Sequence, residues 1–226
     1  MDRTLPEAVV FDFDGLILDT ETPIFEAYRT ALSAMGHDLS VEAWARVVGL
    51  GDADGWTALC DVVGEDLDRA EVESHYEAQD RSWRDRLPPL PGVVELLDAL
   101  GEVDVPFAVA SSSPAAWIEG HLDRLGLLDR FGAIASVDRV DGRAKPQPDV
   151  YRLACRDLGV DPGRSVALED SATGTLAALA AGLAVVVVPS AITVHHDHSR
   201  AHRVVPSLTE VDLVLLSDLV GRDATG

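Results

Sequence analysis

Two carboxylates one residue apart, Asp12 and Asp14, follow the apolar run Val9-Val10-Phe11. The run reads as a buried strand. Alternate residues of a strand share a face, so an extended backbone aims both acids at one point. Gly15 follows at once, where a chain can turn or let another group approach its backbone. Paired carboxylates at a strand end are costly without a cation between them. A divalent, oxygen-seeking ion such as Mg²⁺ suits them. A strand ending in a polar turn would explain the same residues without chemistry. A calcium-binding loop would not: Gly15 comes too early, and Phe13, Leu16, Ile17 and Leu18 fill positions which that loop keeps polar.

The basic residues carry a second signal. Of 18 Lys and Arg residues only Lys145 is a lysine. A chain that uses arginine for its ordinary surface cations has a reason to keep one compact ammonium. Such a point charge fits among carboxylates and phosphate oxygens where a planar guanidinium does not. The alternative is chance retention. Pro146 biases Lys145 toward an extended backbone, and Pro148 can open the next helix.

Two further polar clusters stand at the ends of apolar segments. Ser111-Ser112-Ser113-Pro114 offers hydroxyls and a helix N-terminus, with Ser113 as the expected cap and Pro114 as the first helical residue. Such a terminus can hold an anion, although plain capping would explain it too. Glu169-Asp170-Ser171 is a second pair of acids opening onto a helix. Asp170 alone could be a cap, but four converging carboxylates would repel one another unless cations lay between them. A divalent ion and Lys145 together resolve that repulsion.

The elements that must position these groups fall into two patterns. From Thr20 to Arg86 only helical periodicity appears: Thr22–Met35, a helix capped by Ser40, and stretches near Trp56–Val63 and Leu67–Trp83. Gly49 to Gly55 reads as a flexible acidic loop. Leu87-Pro88-Pro89-Leu90-Pro91-Gly92 reads as a hinge. Beyond it, strands at Pro106–Ser111, Ala133–Val137, Ser165–Leu168 and Val185–Val188 alternate with helices at Val93–Leu100, Pro114–Leu125, Asp149–Leu158 and Ser171–Ala181. That alternation predicts an α/β fold with a Rossmann-like, doubly wound parallel sheet covered on both faces. Ligands of such sheets bind beyond the carboxyl ends of the strands, where all the polar clusters lie.

In this order, Asp12-Phe13-Asp14-Gly15 with Asp19-Thr20, then Ser111-Ser112, Lys145-Pro146 and Glu169-Asp170-Ser171, the chain resembles the haloacid dehalogenase superfamily. The match is to members with a helical cap after the first motif, in the β-phosphoglucomutase-like and sugar-phosphatase branch. The resemblance implies a core domain of residues 1–18 and 90–226 and a cap domain of residues 19–89. It implies an aspartyl-phosphate on Asp12, acid–base work by Asp14, and Mg²⁺ held by Asp12, the Asp14 carbonyl, Glu169 and Asp170. Ser111, the Ser112 backbone N–H and Lys145 would hold the phosphoryl group of a small phosphate monoester, a sugar or polyol phosphate.

The mutase members of that branch carry a histidine shortly after the first motif and a basic cap residue for a second phosphate. Here those positions fall on Ile24 and Asp52, so hydrolysis is expected over transfer. A phospho-receiver domain would have no helical insertion after the first strand, and its lysine would lie near the last strand. A silent binding protein would not need acids at every station.

The formal net charge of -21 argues against nucleic acid and anionic membranes as partners. Cys60 and Cys155 have no metal spacing and read as reduced residues of a cytoplasmic protein. The N-terminal segment lacks a signal-peptide pattern. His195-His196-Asp197-His198 and His202 could ligate a transition metal, but fall in what reads as an ordinary polar loop. A monomer is the default expectation.

Overall fold

Val9–Phe11, all at 0% exposure, form β1, and the rest of the sheet is laid on either side of it. The computed structural model describes residues 4–220. Residues 1–3 and 221–226, the ends of the expected core domain, lie outside the described residues. The other strands are β2 (Phe107–Ala110), β3 (Ala133–Ala135), β4 (Val166–Glu169), β5 (Ala184–Val187) and β6 (Arg203–Val204). They form one parallel sheet of order β3-β2-β1-β4-β5-β6. The order reverses between β1 and β4, which opens a crevice at their carboxyl ends. Phe11 is in register with Val109 of β2 and Leu168 of β4. The residues that follow these three strands therefore meet at one edge.

Alternate side chains of β1 enter opposite layers. Val9 and Phe11 pack under α5 (Val93–Glu102), α6 (Ala115–Arg124) and α9 (Leu213–Val220), while Val10 packs under α7 (Asp149–Leu158) and α8 (Ala172–Ala181). No strand of the sheet lies between Phe11 and Phe107. That interval holds α1 (Glu21–Ala34), α2 (Val41–Ala45), α3 (Asp52–Val63), α4 (Arg69–Glu77) and a 3₁₀ turn at Ser82–Asp85. These helices bury an apolar cluster of their own, including Phe25, Leu32, Trp44, Leu59 and Val72.

Several local expectations need correction. Gly49 to Gly55 is not loop throughout, because α3 begins at Asp52 with Gly51 as its N-cap. Asp52 and Asp54 in the first turn are the acids that a helix N-terminus favours. The stretch near Leu67–Trp83 is broken into α4 and the 3₁₀ turn. Asp68 caps α4 by accepting from the Ala70 and Glu71 amides. A sixth strand was not expected: both residues of β6 are exposed, so no apolar alternation marks it.

The histidine segment is not a free polar loop. His196 Nδ1 accepts from the Ala172 amide at 3.2 Å, and its Nε2 faces the Ala45 carbonyl at 2.5 Å. His202 Nδ1 accepts from the Val185 amide at 3.0 Å. Ile192, from the same segment, joins the apolar cluster of the inserted helices. The segment thus ties those helices to the start of α8.

Candidate active site

Parallel register brings Asp12 beside Glu169, one residue past the Phe11–Leu168 pair. Lys145 reaches between them: its ammonium donates to Asp12 Oδ1 and, at 2.6 Å, to Glu169 Oε1. The lysine is 5% exposed and Glu169 is fully buried. Tyr151 Oη donates to the same Oε1 at 2.5 Å, and Ser171 donates to Oε2 through its hydroxyl at 3.0 Å and its amide at 3.3 Å. The Tyr151 ring centre is 5.0 Å from the ammonium. Burial alone would push Lys145 down, but Asp12 and Glu169 outweigh it and hold the ammonium above its ordinary range. Asp12 is pushed up to about 7, chiefly by burial, with Lys145 opposing and Glu169 adding to the rise.

Asp170 follows Glu169 and is also buried. Ligand atoms of Asp12, Glu169 and Asp170 lie within 4.8 Å of one another. Burial and the charges of Asp12 and Glu169 push Asp170 well above the carboxylate range. Asp12, Glu169 and Asp170 thus stand against one lysine, and a hard divalent cation fits that surplus of negative oxygens. The backbone is shaped around it. Gly15 has φ of +83°, and a Cβ there would sit 2.3 Å from Asp170 Oδ2. A Cβ on Gly174, in the first turn of α8, would fall 2.0 Å from the Glu169 carboxyl. Among the described residues this is the one cluster of metal-ligating side chains, and the histidine segment forms none.

The Asp14 side chain lines the same cavity as Asp12, but a turn and not strand alternation places it there, and its hydrogen-bond partners are different. β1 ends at Phe11 and the chain turns at Gly15, whose amide donates to the Leu18 carbonyl at 2.8 Å. The Asp14 carboxylate then accepts from Thr20 Oγ1 at 2.8 Å and Trp117 Nε1 at 2.9 Å on one oxygen. Its other oxygen accepts from Ser113 Oγ at 2.6 Å and Ser111 Oγ at 3.4 Å. Ser113 is therefore not the cap of α6. Pro114 stands at the N-cap, and the Ala115 amide is met by Asp138 at 3.2 Å. Ser112 Oγ accepts from the Lys145 amide at 3.1 Å, which fixes the lysine loop against the end of β2.

A cavity of about 210 Å³ opens over these groups, lined by Asp12, Asp14, Ser111, Ser112, Lys145 and Asp170 among others. Its wall also holds Glu21 and Trp117, neither anticipated from the sequence. Trp117 lies inside the helix expected over Pro114–Leu125, and its place in the cavity wall depends on how α6 is rotated. Glu21 is half-buried and pushed up to about 8, first by burial and then by Asp14, Asp12 and Asp19. Its place one residue after Thr20 was the available signal. With its folded value above the ordinary 4.5, Glu21 favours folding below that pH, and the advantage is lost as pH rises through about 8. Glu21→Gln is therefore expected to raise the melting temperature of metal-free protein above pH 8 and to leave it unmoved near pH 4. Equal melting shifts at both pH values would refute the assignment.

The haloacid dehalogenase-like hydrolase pattern matches residues 6–182. The chain belongs to that family. YhcW of Bacillus subtilis (strain 168) is 35% identical over 218 residues, covering 94% of this chain and 96% of YhcW. Hexitol phosphatase B of Escherichia coli (strain K12) is 33% identical over 224 residues, covering 97% and 96%. A CbbY variant from Rhodobacter sphaeroides, solved with xylulose-(1,5)bisphosphate, superposes with a TM-score of 0.74 at 28% identity, covering 91% of this chain and 96% of that one. The protein is thus a phosphoric monoester hydrolase, on the fold that the motif order implied. No helix among the described residues is long and apolar enough to cross a membrane.

Proposed function

We propose that the protein is a Mg²⁺-dependent phosphatase that hydrolyses a small sugar or polyol phosphate through an aspartyl-phosphate on Asp12. The observation that carries this reading is the buried Asp12–Lys145–Glu169 chain beside Asp170, opening on the Ser111 and Ser112 end of β2. In the first step an Asp12 oxygen bonds to phosphorus as the bond to the leaving oxygen breaks, and Asp14 gives that oxygen its proton. In the second, Asp14 takes a proton from water, the water oxygen bonds to phosphorus, and the bond to Asp12 breaks. Lys145, the Ser111 hydroxyl and the Ser112 backbone N–H hold the equatorial oxygens, where charge must be met in phosphoryl transfer. Asp12, Asp170 and the Asp14 carbonyl would hold Mg²⁺, with Glu169 at or beside its shell; the bound ion supplies electrophilic stabilisation of the phosphoryl oxygens.

Residues 19–89 act in this reading as a cap that excludes bulk water. Ile24 lines the cavity where the mutase members carry a histidine, which favours transfer to water. The free thiols of Cys60 and Cys155 suit a cytoplasmic location, and in this reading the protein is a monomer acting on a small phosphorylated substrate.

Asp14→Asn tests the acid–base role. The proposed metal ligand there is the main-chain carbonyl, so Mg²⁺ affinity should be retained. Turnover should fall by roughly 10²–10⁴, the scale of general acid–base catalysis. The loss should shrink for aryl phosphates, whose leaving groups need less protonation. Equal losses for alkyl and aryl esters would count against Asp14 as the acid.

A further inference from the structure

The two oxygens of the Asp14 carboxylate are not equivalent. Oδ1 accepts from the Trp117 indole N–H at 2.9 Å and from the Thr20 hydroxyl at 2.8 Å. Oδ2 accepts from the Ser113 hydroxyl at 2.6 Å and from the Ser111 hydroxyl at 3.4 Å. A hydroxyl can rotate and accept where it had donated, but an indole N–H only donates. A proton on Oδ1 would share that oxygen with two donors, one of which cannot reverse. A proton on Oδ2 asks only that the two serine hydroxyls turn. Ser111 Oγ already accepts from the Ser113 amide at 2.9 Å, so its hydroxyl has a second fixed neighbour when it does.

The indole that makes this distinction is itself held in place. Trp117 is half-buried in the wall of the catalytic cavity. His121, one turn further along α6, meets its ring nearly edge-on, with 4.4 Å between ring centres. The guanidinium of Arg84 lies 5.3 Å from the centre of the Trp117 ring, and the Trp83 ring centre lies at 6.5 Å. Trp83 and Arg84 belong to the 3₁₀ turn at Ser82–Asp85, where the helical insertion returns toward the sheet. The indole is thus braced both by its own helix and by that return limb. A wall of the cavity needs bulk alone, which a phenyl ring would supply. The N–H adds a fixed donor to an acid.

We propose that Trp117 is a positioning residue for Asp14: its N–H reserves Oδ1 as an acceptor and leaves Oδ2 to exchange the proton with the leaving oxygen. In the first step the proton passes from Oδ2 to that oxygen as its bond to phosphorus breaks, and the Ser113 hydroxyl turns back to donate to the ionised Oδ2. The assignment rests on the phosphatase reading, which supplies the reaction.

Trp117→Phe keeps an aromatic ring beside His121 and Arg84 and removes the N–H. The benzothienyl isostere of tryptophan at position 117 keeps the whole bicycle as well. The measurement is kcat/KM, which reports the first chemical step, for fructose, glucitol and glycerol phosphates and for p-nitrophenyl phosphate, with Mg²⁺. For the best alkyl ester it should fall by about tenfold or more in both variants, the scale of one hydrogen bond to a charged group. For p-nitrophenyl phosphate, whose leaving group needs little protonation, the fall should be clearly smaller. In an Asp14→Asn background Trp117→Phe should cost almost nothing further, because a residue that acts through another is not additive with it. Calorimetric affinity of the same alkyl ester for Asp12→Asn protein should be unmoved by adding Trp117→Phe, which shows the fold and the cavity to be intact. Equal losses for alkyl and aryl esters, or a loss that adds in full to that of Asp14→Asn, overturns the assignment while leaving the phosphatase reading in place. If wild-type enzyme hydrolyses none of these alkyl esters, the phosphatase reading fails and the assignment falls with it.

Discussion

Replacing Asp12 with Asn is expected to abolish turnover and phosphoenzyme formation while leaving a folded protein. An amide is a poor nucleophile, so no smaller effect is consistent with the proposed chemistry. The fold should survive because the Asp12 backbone does its structural work independently of the carboxylate: its amide donates to the Leu168 carbonyl at 2.9 Å. Lys145 keeps its bond to Glu169 at 2.6 Å. Without metal, the ionised Asp12 is a burden on the folded state, since burial and Glu169 lift it from 3.8 to about 7 against the pull of Lys145. Its contribution to stability is present below the unfolded value and is lost as pH rises through about 7. Asp12→Asn should therefore melt no lower than metal-free wild type at pH 8. Trapping with beryllofluoride should load the wild type at Asp12 and leave the variant unmodified. Labelled phosphate on any other side chain would refute the nucleophile assignment.

The same residue illustrates what could be read from the chain and what could not. The stations Asp12, Ser111 and Glu169 were legible because each ends an apolar segment, and a parallel sheet brings such ends to one edge, whereas Lys145 was legible as the single lysine. Strand order was not legible: nothing in the local pattern of β6, two exposed residues, distinguishes it from a loop. Side-chain partners beyond the sheet edge were harder still. Ser113 follows the local rules of a helix cap, yet its hydroxyl donates to the Asp14 carboxylate at 2.6 Å, a charge-assisted bond, while the Ala115 amide donates to Asp138. Asp52 was read only as an acid standing where mutase members carry a basic cap residue. Its pairing with Arg69, 17 residues away, depends on how α3 and α4 pack. His196 read as part of a polar run, but both its ring nitrogens are engaged between Ala45 and Ala172. In each case local composition named the group, and tertiary packing chose its partner.

Lys145→Arg is the second large effect, and it separates the shape of the cation from its charge. The chain uses arginine at every other basic position, so if any cation served, activity would survive the change. The site argues otherwise. The ammonium is held between Asp12 and Glu169 with the Tyr151 ring centre 5.0 Å away, and the residue is 5% exposed. A guanidinium is broader and longer, and its planar fork needs donors aimed differently from those of a point charge. Turnover should fall by about 10²–10³ or more, as when one fixed donor to the transition state is lost. Lys145→Ala should be at least as damaging to turnover. It should also lower the stability of metal-free protein by ~3–5 kcal/mol, since breaking a buried pair leaves carboxylates uncompensated. Mg²⁺ affinity of the Ala variant should hold or rise, because one cation no longer repels another, while affinity for a phosphate mimic should fall steeply. Turnover of the Arg variant, read beside Mg²⁺ and beryllofluoride titrations of the Ala variant, decides the matter. Near wild-type turnover with arginine and undiminished mimic affinity with alanine would make the lone lysine incidental and would move the phosphoryl-binding site elsewhere.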